Sequence, residues 1–443
     1  MSTLSTTSAQ SLVGAFTAEA FAAHLATQSS APAWWLNRKR AAYEEFASLP
    51  MPKRGNESWR FSNVAALTLD GVVPTSPESA ATTNAAAHAP FGPGLTFLNN
   101  TLAPRADRRP ELPPGVIVTT LSEAIVKHAD LLQRHFMAQP QKLGSDKFTA
   151  LHIAFVSDGA FIYVPRGVEL TAPIIVNYLA EGPDTVVFPH TLVVAEENSK
   201  VTVIDYFVSV GSGSQPGPHQ LALGANDLYA AHGAQLTYVA AQNWSTDMLS
   251  FQFNSTVVRR DARVKSLNLH LGGRQARHES LSQLQAPGGL SEMLALTIAS
   301  DSQEFDQRTL QIHQAPNTKS DLLYKNALQG NARTIFSGLI VVDPDAQKTD
   351  AYQSNRNLML SDDAEANSLP GLEIQANDVR CTHGATSSRI DPEQEFYLQS
   401  RGIAREAADE LLTFGFFEEV LARLDDESVR EALRELIKTK FKK

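Results

Sequence analysis

The residues whose side chains are best suited to take part in chemistry are a cysteine and a histidine two positions apart. Cys381 is the sole cysteine of the chain, and His383 follows it in the run 380–386 (RCTHGAT). In an extended strand, residues i and i+2 point to the same face, so a thiol and an imidazole would lie side by side and could serve a metal. The alternative is a small buried cysteine with a hydrogen-bonded histidine beside it.

Two ligands do not complete a metal site. A tetrahedral zinc or an iron-sulfur centre generally takes four protein ligands. No C-x-x-C or H-x-x-x-H pair occurs elsewhere in the chain to provide the others. If the pair is functional, we expect a partner to supply the remaining ligands.

The composition is that of a soluble globular protein with a sizeable core. The chain has 443 residues, 43% of them hydrophobic, and a formal net charge of -10, which argues against nucleic acid or an anionic membrane as the main partner. We find no secretory signal and no apolar stretch of roughly 18 residues that would span a membrane. A single cysteine cannot form an internal disulfide, so we expect a cytoplasmic location.

Helical patterns open the chain. Apolar residues at helical spacing predict an N-terminal helical domain over residues 1–72, which Pro50 and Pro52 interrupt. Residues 73–114 are predicted to be a linker and loose loops, because 73–93 are rich in Ala, Thr, Ser and Pro. One further helical stretch is predicted from Leu121 to Phe136.

A large β region follows, within a predicted domain of residues 115–390. A turn residue and a small residue repeatedly precede an alternating apolar run, and the copies begin at Gly159, Asn198, Gly233, Asp261 and Asn331. Irregular recurrence of such a unit predicts a parallel β-helix with variable loops at its corners. A β-sandwich is the alternative, but sandwiches rarely extend past about 250 residues.

The pattern becomes helical again over residues 391–443. Asp391 and Pro392 form a helix start, Gly415 is expected to interrupt the second helix, and a third helix continues from Asp425. So small a helical domain has little core of its own. We expect it to dock on the β region or on another protein.

Several enzymatic signatures are absent. There is no G-x-x-x-x-G-K-[ST], H-E-x-x-H or G-x-S-x-G motif. The glycine-rich run 211–217 (GSGSQPG) is interpreted as a flexible loop. Acids such as Asp343, Asp345, Asp350, Asp362 and Asp363 could form paired carboxylates on a β-helix, as in a carbohydrate-active enzyme, but their turn-like surroundings favour solvated turn residues.

Longer motifs resemble one protein family. The SufB/SufD family of iron-sulfur cluster assembly proteins is matched in order and spacing by the runs 321–326 (DLLYKN), 337–340 (SGLI), 349–360 (TDAYQSNRNLML), 370–374 (PGLEI), 381–386 (CTHGAT) and 396–403 (FYLQSRGI). The runs 49–55 (LPMPKRG) and 59–62 (WRFS) resemble the SufD branch of this family. The resemblance covers essentially the whole chain and implies a right-handed parallel β-helix flanked by helical domains.

The resemblance also implies function and partners. It implies a non-catalytic scaffold subunit that pairs with a SufB-like paralogue through the β-helix and binds the ABC ATPase SufC, which would hydrolyse the ATP. Pairing with a second copy is expected when SufB is absent. The chain should hold no cofactor alone and should share a nascent iron-sulfur cluster with SufB, because it lacks the additional cysteines and the acidic Glu-His-Glu-Ala-Thr run of SufB.

The residues that the resemblance assigns fall into two sets. His383 occupies the histidine position of the family motif and is expected to be a ligand or proton-handling group at the SufB interface, with Cys381 as the second candidate. The expected SufC-binding residues are Phe396, Tyr397, Arg401, Gly402, Ile403, Phe414, Phe416 and Phe417. A purely structural partner of SufB, in which His383 has no chemistry, is the alternative.

Overall fold

The computed structural model describes residues 13–74, 88–103, 112–140, 142–210 and 220–441. The helices are α1 (Ala18–Thr27), α2 (Ala33–Ser48), α3 (Leu121–Lys127), α4 (Ala129–His135), α5 (Asp146–Phe155), α6 (Pro392–Ser400), α7 (Arg405–Leu421) and α8 (Glu427–Phe441). The strands are β1 (Leu95–Leu98), β2 (Thr101–Leu102), β3 (Ile117–Thr120), β4 (Ala160–Val164), β5 (Ile174–Glu181), β6 (Val186–Val187), β7 (His190–Ala195), β8 (Lys200–Val210), β9 (Gln220–Ala230), β10 (Gln235–Asn243), β11 (Met248–Val258), β12 (Arg263–His270), β13 (Gln275–Leu284), β14 (Leu290–Ala299), β15 (Glu304–His313), β16 (Lys319–Leu328), β17 (Arg333–Val342), β18 (Asp350–Met359), β19 (Glu365–Ile374) and β20 (Arg380–Arg389).

The strands build a β-solenoid of about eight turns from two long sheets. Sheet I has the order β2-β1-β5-β8-β10-β12-β14-β16-β18-β20, and sheet II has the order β19-β17-β15-β13-β11-β9-β7-β4-β3, with β6 beside β9. From β8 onward, consecutive strands lie in opposite sheets and pair in parallel with the strands two positions away. The chain therefore coils around an enclosed interior, which we call the lumen. The predicted parallel β-helix is confirmed.

One corner of the solenoid repeats a single backbone conformation. Asn198, Gly233, Asp261, Gly288 and Asn317 precede successive strands of sheet I, and their φ angles lie between 53° and 78°. Glycine, asparagine and aspartate adopt this left-handed region at the least cost. The backbone amides at this corner donate to carbonyls of the next turn of the solenoid, so the corners stack as the strands do.

The repeat predicted from the sequence is therefore real, although its copies belong to two corners. The copies at Asn198, Gly233 and Asp261 enter sheet I, whereas those at Gly159 and Asn331 enter sheet II at the opposite corner. Each turn residue is followed by a small residue that the corner buries, such as Ala234, at 0% exposure. The space available at the corner explains why a small side chain recurs there.

The N-terminal helices pack on the outer face of sheet II and cap one another. Lys39 of α2 is buried and donates its Nζ to the carbonyls of Ala154 and Val156 at the end of α5, at 3.1 and 2.5 Å. Lys147 of α5 donates to the carbonyl of Phe46 in α2 at 2.7 Å. Because helix ends carry unpaired carbonyls and partial negative charge, each lysine stabilises the end of the neighbouring helix.

The run 59–62 is held against sheet II by a buried ionic cluster. Arg277 donates to Glu279 at 2.7 Å and to Asp306 at 2.5 Å, and its guanidinium lies 3.8 Å from the centre of the Trp59 ring. Ser62 donates a hydrogen bond to the same Asp306. A buried charge is tolerated only when it is paired and hydrogen-bonded, and Arg277 meets both conditions here. The run therefore fastens the N-terminal domain to the solenoid.

The C-terminal helices dock on the outer face of sheet I. Apolar residues of α7 and α8 contact apolar residues of β12, β14 and β16, among them Leu421, Leu433 and Leu294. Lys325 of β16 donates to the carbonyl of Phe416 at 2.6 Å, which adds a polar contact at the same interface. Of the two expected partners for this domain, the β region is the one that it contacts.

Two helix predictions differ from the structure. The stretch from Leu121 to Phe136 is two helices, because the backbone of His128 leaves the helical region with a ψ of 37° between α3 and α4. Gly415 does not interrupt α7, which continues from Arg405 to Leu421, since glycine weakens a helix without forcing its end. Half of the predicted linker, at 75–87 and 104–111, and the loop 211–217 lie outside the described residues.

Candidate functional site

The solenoid ends in strands whose outer edges have no neighbour in the described part of the chain. β20 pairs with β18, and β19 pairs with β17, and each is the last strand of its sheet. We call β18, β19 and β20 the terminal rung. An unpaired edge presents a row of free N–H and C=O groups, which is a template for pairing with another strand.

Cys381 and His383 lie on this edge strand and face the lumen side. In the β18–β20 register, Cys381 is opposite Ala351, and His383 is opposite Gln353. Ala351 and Gln353 are buried at 1% and 0% exposure, which identifies their common face as the interior one. Cys381 is half-buried, and His383 is exposed because no further rung covers it. The spacing argument, which put both side chains on one face, agrees with this register.

The surroundings of Cys381 disfavour its thiolate. Burial raises the pKa of the Cys381 thiol, a hydrogen bond with the backbone of Ala351 lowers it in part, and the charge of Asp350 raises it further. The side chain packs against a cluster that includes Ile340 and Ala351. Since the thiolate is the metal-binding form, His383 is the more accessible donor of the pair.

The pair is not accompanied by further ligands. Across the ranges that the structure describes, no group of three or more His, Cys, Asp or Glu side chains is placed to hold a metal ion. Cys381 and His383 can supply at most two of the four donors that an iron-sulfur centre generally takes. A site built here needs donors from outside the chain.

The terminal rung also exposes apolar side chains. Tyr352 of β18 is 40% exposed, and Leu369 and Ile374 of β19 are 37% and 42% exposed. Most other large apolar side chains of the solenoid are buried. Strand alternation places these side chains on different faces: Tyr352 on the outer face of sheet I, Leu369 on the outer face of sheet II, and Ile374 on the lumen side, opposite the buried Val342. Of the three, Ile374 shares the lumen side with Cys381 and His383, next to two unpaired strand edges.

A second exposed surface is formed by α6 and the turn after it. No residue of α6 is buried, and Phe396 and Tyr397 are 72% and 57% exposed. The guanidinium of Arg401 lies over the Tyr397 ring at 5.3 Å from its centre. Gly402 is exposed, with a φ of 85°, and Ile403 is half-buried. Five of the residues predicted to bind the ATPase therefore lie together.

The three phenylalanines of α7 are placed differently from the α6 residues. Phe417 is fully buried against sheet I, and Phe414 and Phe416 are partly buried in the same cluster. The Phe416 ring lies 4.6 Å from the Nζ of Lys325, and the Phe414 ring contacts Phe441. Their bulk is used to attach α7, so the exposed surface consists of the α6 residues.

The acids considered for a carbohydrate-active enzyme lie mainly at corners. Asp343 and Asp345 occupy a turn between β17 and β18, and Asp362 forms an ion pair at 2.7 Å with Arg389. Asp350 pairs with Lys319 at 3.1 Å. The interpretation as solvated turn residues agrees with the positions of Asp345, Asp362 and Asp363, whereas Asp350 is the first residue of β18.

The sequence reasoning missed the amides that line the lumen. Gln353, Asn355 and Asn357 alternate along β18 and are buried at 0%, 0% and 1% exposure. Asn357 donates to Asn355 at 3.0 Å and to Ser387 of β20 at 3.3 Å. The signal was present as amides at every second position of the run 349–360, which matches the period of a strand.

No helix among the described residues combines the length and the apolar character needed to cross a membrane.

Comparison with known proteins identifies the class. Residues 178–416 match the model of the SufBD core domain of the SUF system for FeS cluster assembly, and residues 93–176 match that of the SufBD protein N-terminal region. The chain is 31% identical to the iron-sulfur cluster assembly protein SufD of Bacillus subtilis, over 93% of this chain and 95% of that protein. It is 28% identical to an iron-sulfur cluster assembly SufBD family protein of Synechocystis, over 91% of this chain and 90% of that protein.

A β-solenoid with helical ends that matches this core domain is an assembly protein of the SUF system. The chain belongs to the SufBD family of iron-sulfur cluster assembly proteins. A second relative that bears the name SufD, from Escherichia coli, is 30% identical over 66% of this chain and 69% of that protein. The resemblance stated from the motifs is confirmed, and the chain is a homologue of SufD.

Proposed function

We propose that this chain is the SufD-like, non-catalytic subunit of a SufB–SufC–SufD scaffold that assembles iron-sulfur clusters de novo. Its terminal rung would pair with a SufB-like paralogue. One observation carries this proposal: the strand that presents Cys381 and His383 has an unpaired edge, and Ile374 of the neighbouring end strand β19 exposes its side chain on the same lumen side. Strand addition at such an edge supplies main-chain hydrogen bonds, and covering Ile374 adds buried apolar area.

The cluster under construction is cargo at this interface. His383 would act as a ligand to iron or would hold a proton there, and Cys381 would be the second donor. The half-buried thiol of Cys381, with its raised pKa, gives His383 the larger role. The SufB-like partner must bring the remaining donors, because two ligands cannot enclose a cluster.

The surface of α6 is the proposed docking site for a SufC-like ABC ATPase. Phe396 and Tyr397 expose their aromatic rings, and the guanidinium of Arg401 lies over the Tyr397 ring. Aromatic and arginine side chains are the residues that most often dominate binding energy. Gly402 and Ile403 continue this surface. The next helix, α7, connects it to sheet I, because Phe417 packs against that sheet.

ATP-driven closure of two ATPase subunits would move the C-terminal helices and twist the paired solenoids. In this mechanism the closed ATPase binds better to the twisted complex, since a ligand shifts an equilibrium only by its difference in affinity for the two states. The twist would open the interface and expose His383 to incoming iron and sulfide. When SufB is absent, two copies of this chain would pair through the same terminal rung. We expect this assembly to take place in the cytoplasm.

The experiment is co-expression of the chain with SufB-like and SufC-like partners. The native mass of the purified complex and its iron and sulfide content are measured for the wild type, for His383→Ala and for Thr382→Ala. Thr382 is the matched control because it lies on β20 between the two candidates and faces the other side. We expect an intact complex in all three and a severalfold loss of iron and sulfide in His383→Ala alone.

Two outcomes separate this proposal from the structural alternative. Full cluster content in the His383→Ala complex, at the wild-type mass, would show that the chain only supports its partner. Failure to recover any complex from the wild type would refute the pairing itself. Deletion of residues 396–424 with continued recovery of the ATPase would refute the assignment of the docking surface.

A further inference from the structure

The lumen contains a small cavity, far from the terminal rung, in which polar side chains lie among apolar ones such as Phe207, Trp244 and Phe251. Its volume is about 10 Å³, and its walls include His270, His278, Gln252 and Ser250. The two histidines are only 2% and 5% exposed, and their rings stack with centres 3.7 Å apart. This volume is close to that of one water-sized sphere, which is the smallest cavity able to hold a water molecule.

Several polar atoms around this cavity have no hydrogen-bond partner within the described chain. They are Nε2 of His270, both ring nitrogens of His278 and Oγ of Ser250. A buried polar atom without a partner costs about 1–3 kcal/mol, and such atoms are rare in native proteins. These four atoms belong to residues that line one cavity, where a ligand would satisfy those that it can reach.

A series of hydrogen-bonded amide side chains, which we call the file, runs from the terminal rung toward the cavity. The backbone carbonyl of Thr386 in β20 accepts from Nδ2 of Asn357 at 3.2 Å. Oδ1 of Asn357 accepts from Asn326 at 2.8 Å, and Oδ1 of Asn326 accepts from Nε2 of Gln307 at 3.1 Å. Because the carbonyl of Thr386 can only accept, turning over any one amide would place two donors or two acceptors face to face.

This file fixes the tautomer of His270. Nε2 of Gln307 donates to Oγ1 of Thr297 at 2.7 Å and lies 3.4 Å from Nδ1 of His270, and the same Oγ1 lies 3.1 Å from that Nδ1. Because an amide nitrogen can only donate, Nδ1 of His270 must accept, and the hydroxyl proton of Thr297 can point at it as well. Burial holds the pKa of His270 well below its usual range, so the ring is neutral and carries one proton. Since Nδ1 accepts, the proton is on Nε2, which is the atom without a partner.

The chemistry of the ligand follows from these assignments. Burial lowers the pKa of His278 to about 3, so this ring is also neutral and presents one donor and one acceptor. The ligand must accept a hydrogen bond from Nε2–H of His270, and it must be able either to donate or to accept at the one ring nitrogen of His278 that it can reach. A metal cation would meet the proton on His270, and an anion would find no countercharge among these neutral side chains. A water molecule meets every requirement.

We propose that the cavity between His270 and His278 is a binding site for a single water molecule, and that the file through Asn357, Asn326 and Gln307 ties its hydrogen-bond pattern to strand β20. The file crosses from β20 to β12, which is four strand spacings in sheet I or about 19 Å. The strand at its far end also carries Cys381 and His383. A displacement of Thr386 would therefore reach His270 through hydrogen bonds, whether or not β20 has the proposed assembly function.

The test is ¹⁵N NMR of the full chain with ring-labelled histidine, in which the His270 signals are identified by their loss in His270→Gln. We expect Nε2 of His270 to be protonated and Nδ1 to be unprotonated, with magnetisation exchange between the Nε2 proton and water. Asn357→Leu should convert His270 into a mixture of tautomers. Gln311→Met is the matched control, since Gln311 is a buried lumen amide that bonds Ser320 outside the file, and it should leave His270 unchanged.

The bound water is tested separately. Ala240→Val narrows the cavity from another wall, and we expect it to abolish the exchange with water. If Asn357→Leu does not fold, Asn357→Ala removes the same acceptor without adding bulk, and it should give the same change. A proton on Nδ1 in the wild type, a tautomer that ignores both Asn357 variants, or the absence of exchange with water would overturn the proposal.

Discussion

The C-terminal domain contains one fully buried and one exposed phenylalanine whose replacement should affect stability very differently. Phe417→Ala should loosen the attachment of α7 to sheet I, whereas Phe396→Ala should leave stability nearly unchanged. The reason is burial: Phe417 is 0% exposed within the α7–sheet I cluster, and Phe396 is 72% exposed on α6. The two variants remove the same atoms from opposite environments.

The expected magnitudes follow from these environments. Truncating a buried phenylalanine to alanine costs about 3–5 kcal/mol, from lost burial and from the cavity left behind. A substitution at an exposed surface position usually stays within about 0.5 kcal/mol. For 443 residues, the entropy of unfolding near 60 °C is about 0.9 kcal/mol per kelvin, so cooperative unfolding of the whole chain would lower the Tm of Phe417→Ala by about 3–5 °C.

Two assays measure the effect. Scanning calorimetry gives the Tm of each variant, and amide hydrogen exchange reports whether α7 and α8 open while the solenoid stays closed. We expect faster exchange confined to α7 and α8 in Phe417→Ala if the helices detach as a unit. A pull-down with the SufC-like ATPase should show the reverse order, with the larger loss in Phe396→Ala.

The reasoning would be refuted by a stable Phe417→Ala variant that exchanges like the wild type and yet fails to bind the ATPase. That result would place Phe417 at the docking surface and not in the core. A Tm loss of several degrees in Phe396→Ala would equally contradict the exposure of α6.

Three further predictions concern stability. Gly415→Ala should raise the free energy of unfolding by about 0.5–1 kcal/mol, because Gly415 lies inside α7 with open space where a Cβ would stand; a lower denaturant midpoint would contradict this. Lys348→Asn should stabilise by about 0.5 kcal/mol, since Lys348 has a φ of 59° that asparagine adopts more readily, and no gain in the same denaturation assay would count against it. Burial raises the pKa of Asp205 to about 7, so the folded protein keeps a proton that the unfolded chain releases near pH 4, and stability should fall as pH rises from about 4 to 7. Asp205→Asn should lack that part of the fall, and urea titrations that give parallel pH profiles for both proteins would contradict the assignment.

Much of the architecture was predictable from local pattern. The corners at Asn198, Gly233 and Asp261 were visible because a left-handed backbone selects a few residue types and the buried position after it selects small ones. The helix start at Asp391 was visible because its side chain caps the amide of Glu393. These signals depend on residues within a few positions of one another.

Other features depended on contacts that local pattern does not encode. The continuity of α7 through Gly415 is consistent with packing of the residues on either side of it against sheet I outweighing the weak helix propensity of glycine. The ionic cluster joins Ser62 to Asp306 across 244 positions of sequence. Such a contact exists only once the solenoid has formed the surface that receives the N-terminal segment.

For the candidate site, the sequence by itself determined the family, the pairing of Cys381 with His383 on one face of a strand, and the shortage of ligands. Only the tertiary structure decided that this face is the lumen side of a terminal rung whose edge is unpaired. It also decided that Phe417 is buried while Phe396 is exposed. The physical reason is that strand alternation fixes which residues share a face, whereas the stacking of rungs and the docking of helices fix which faces are covered.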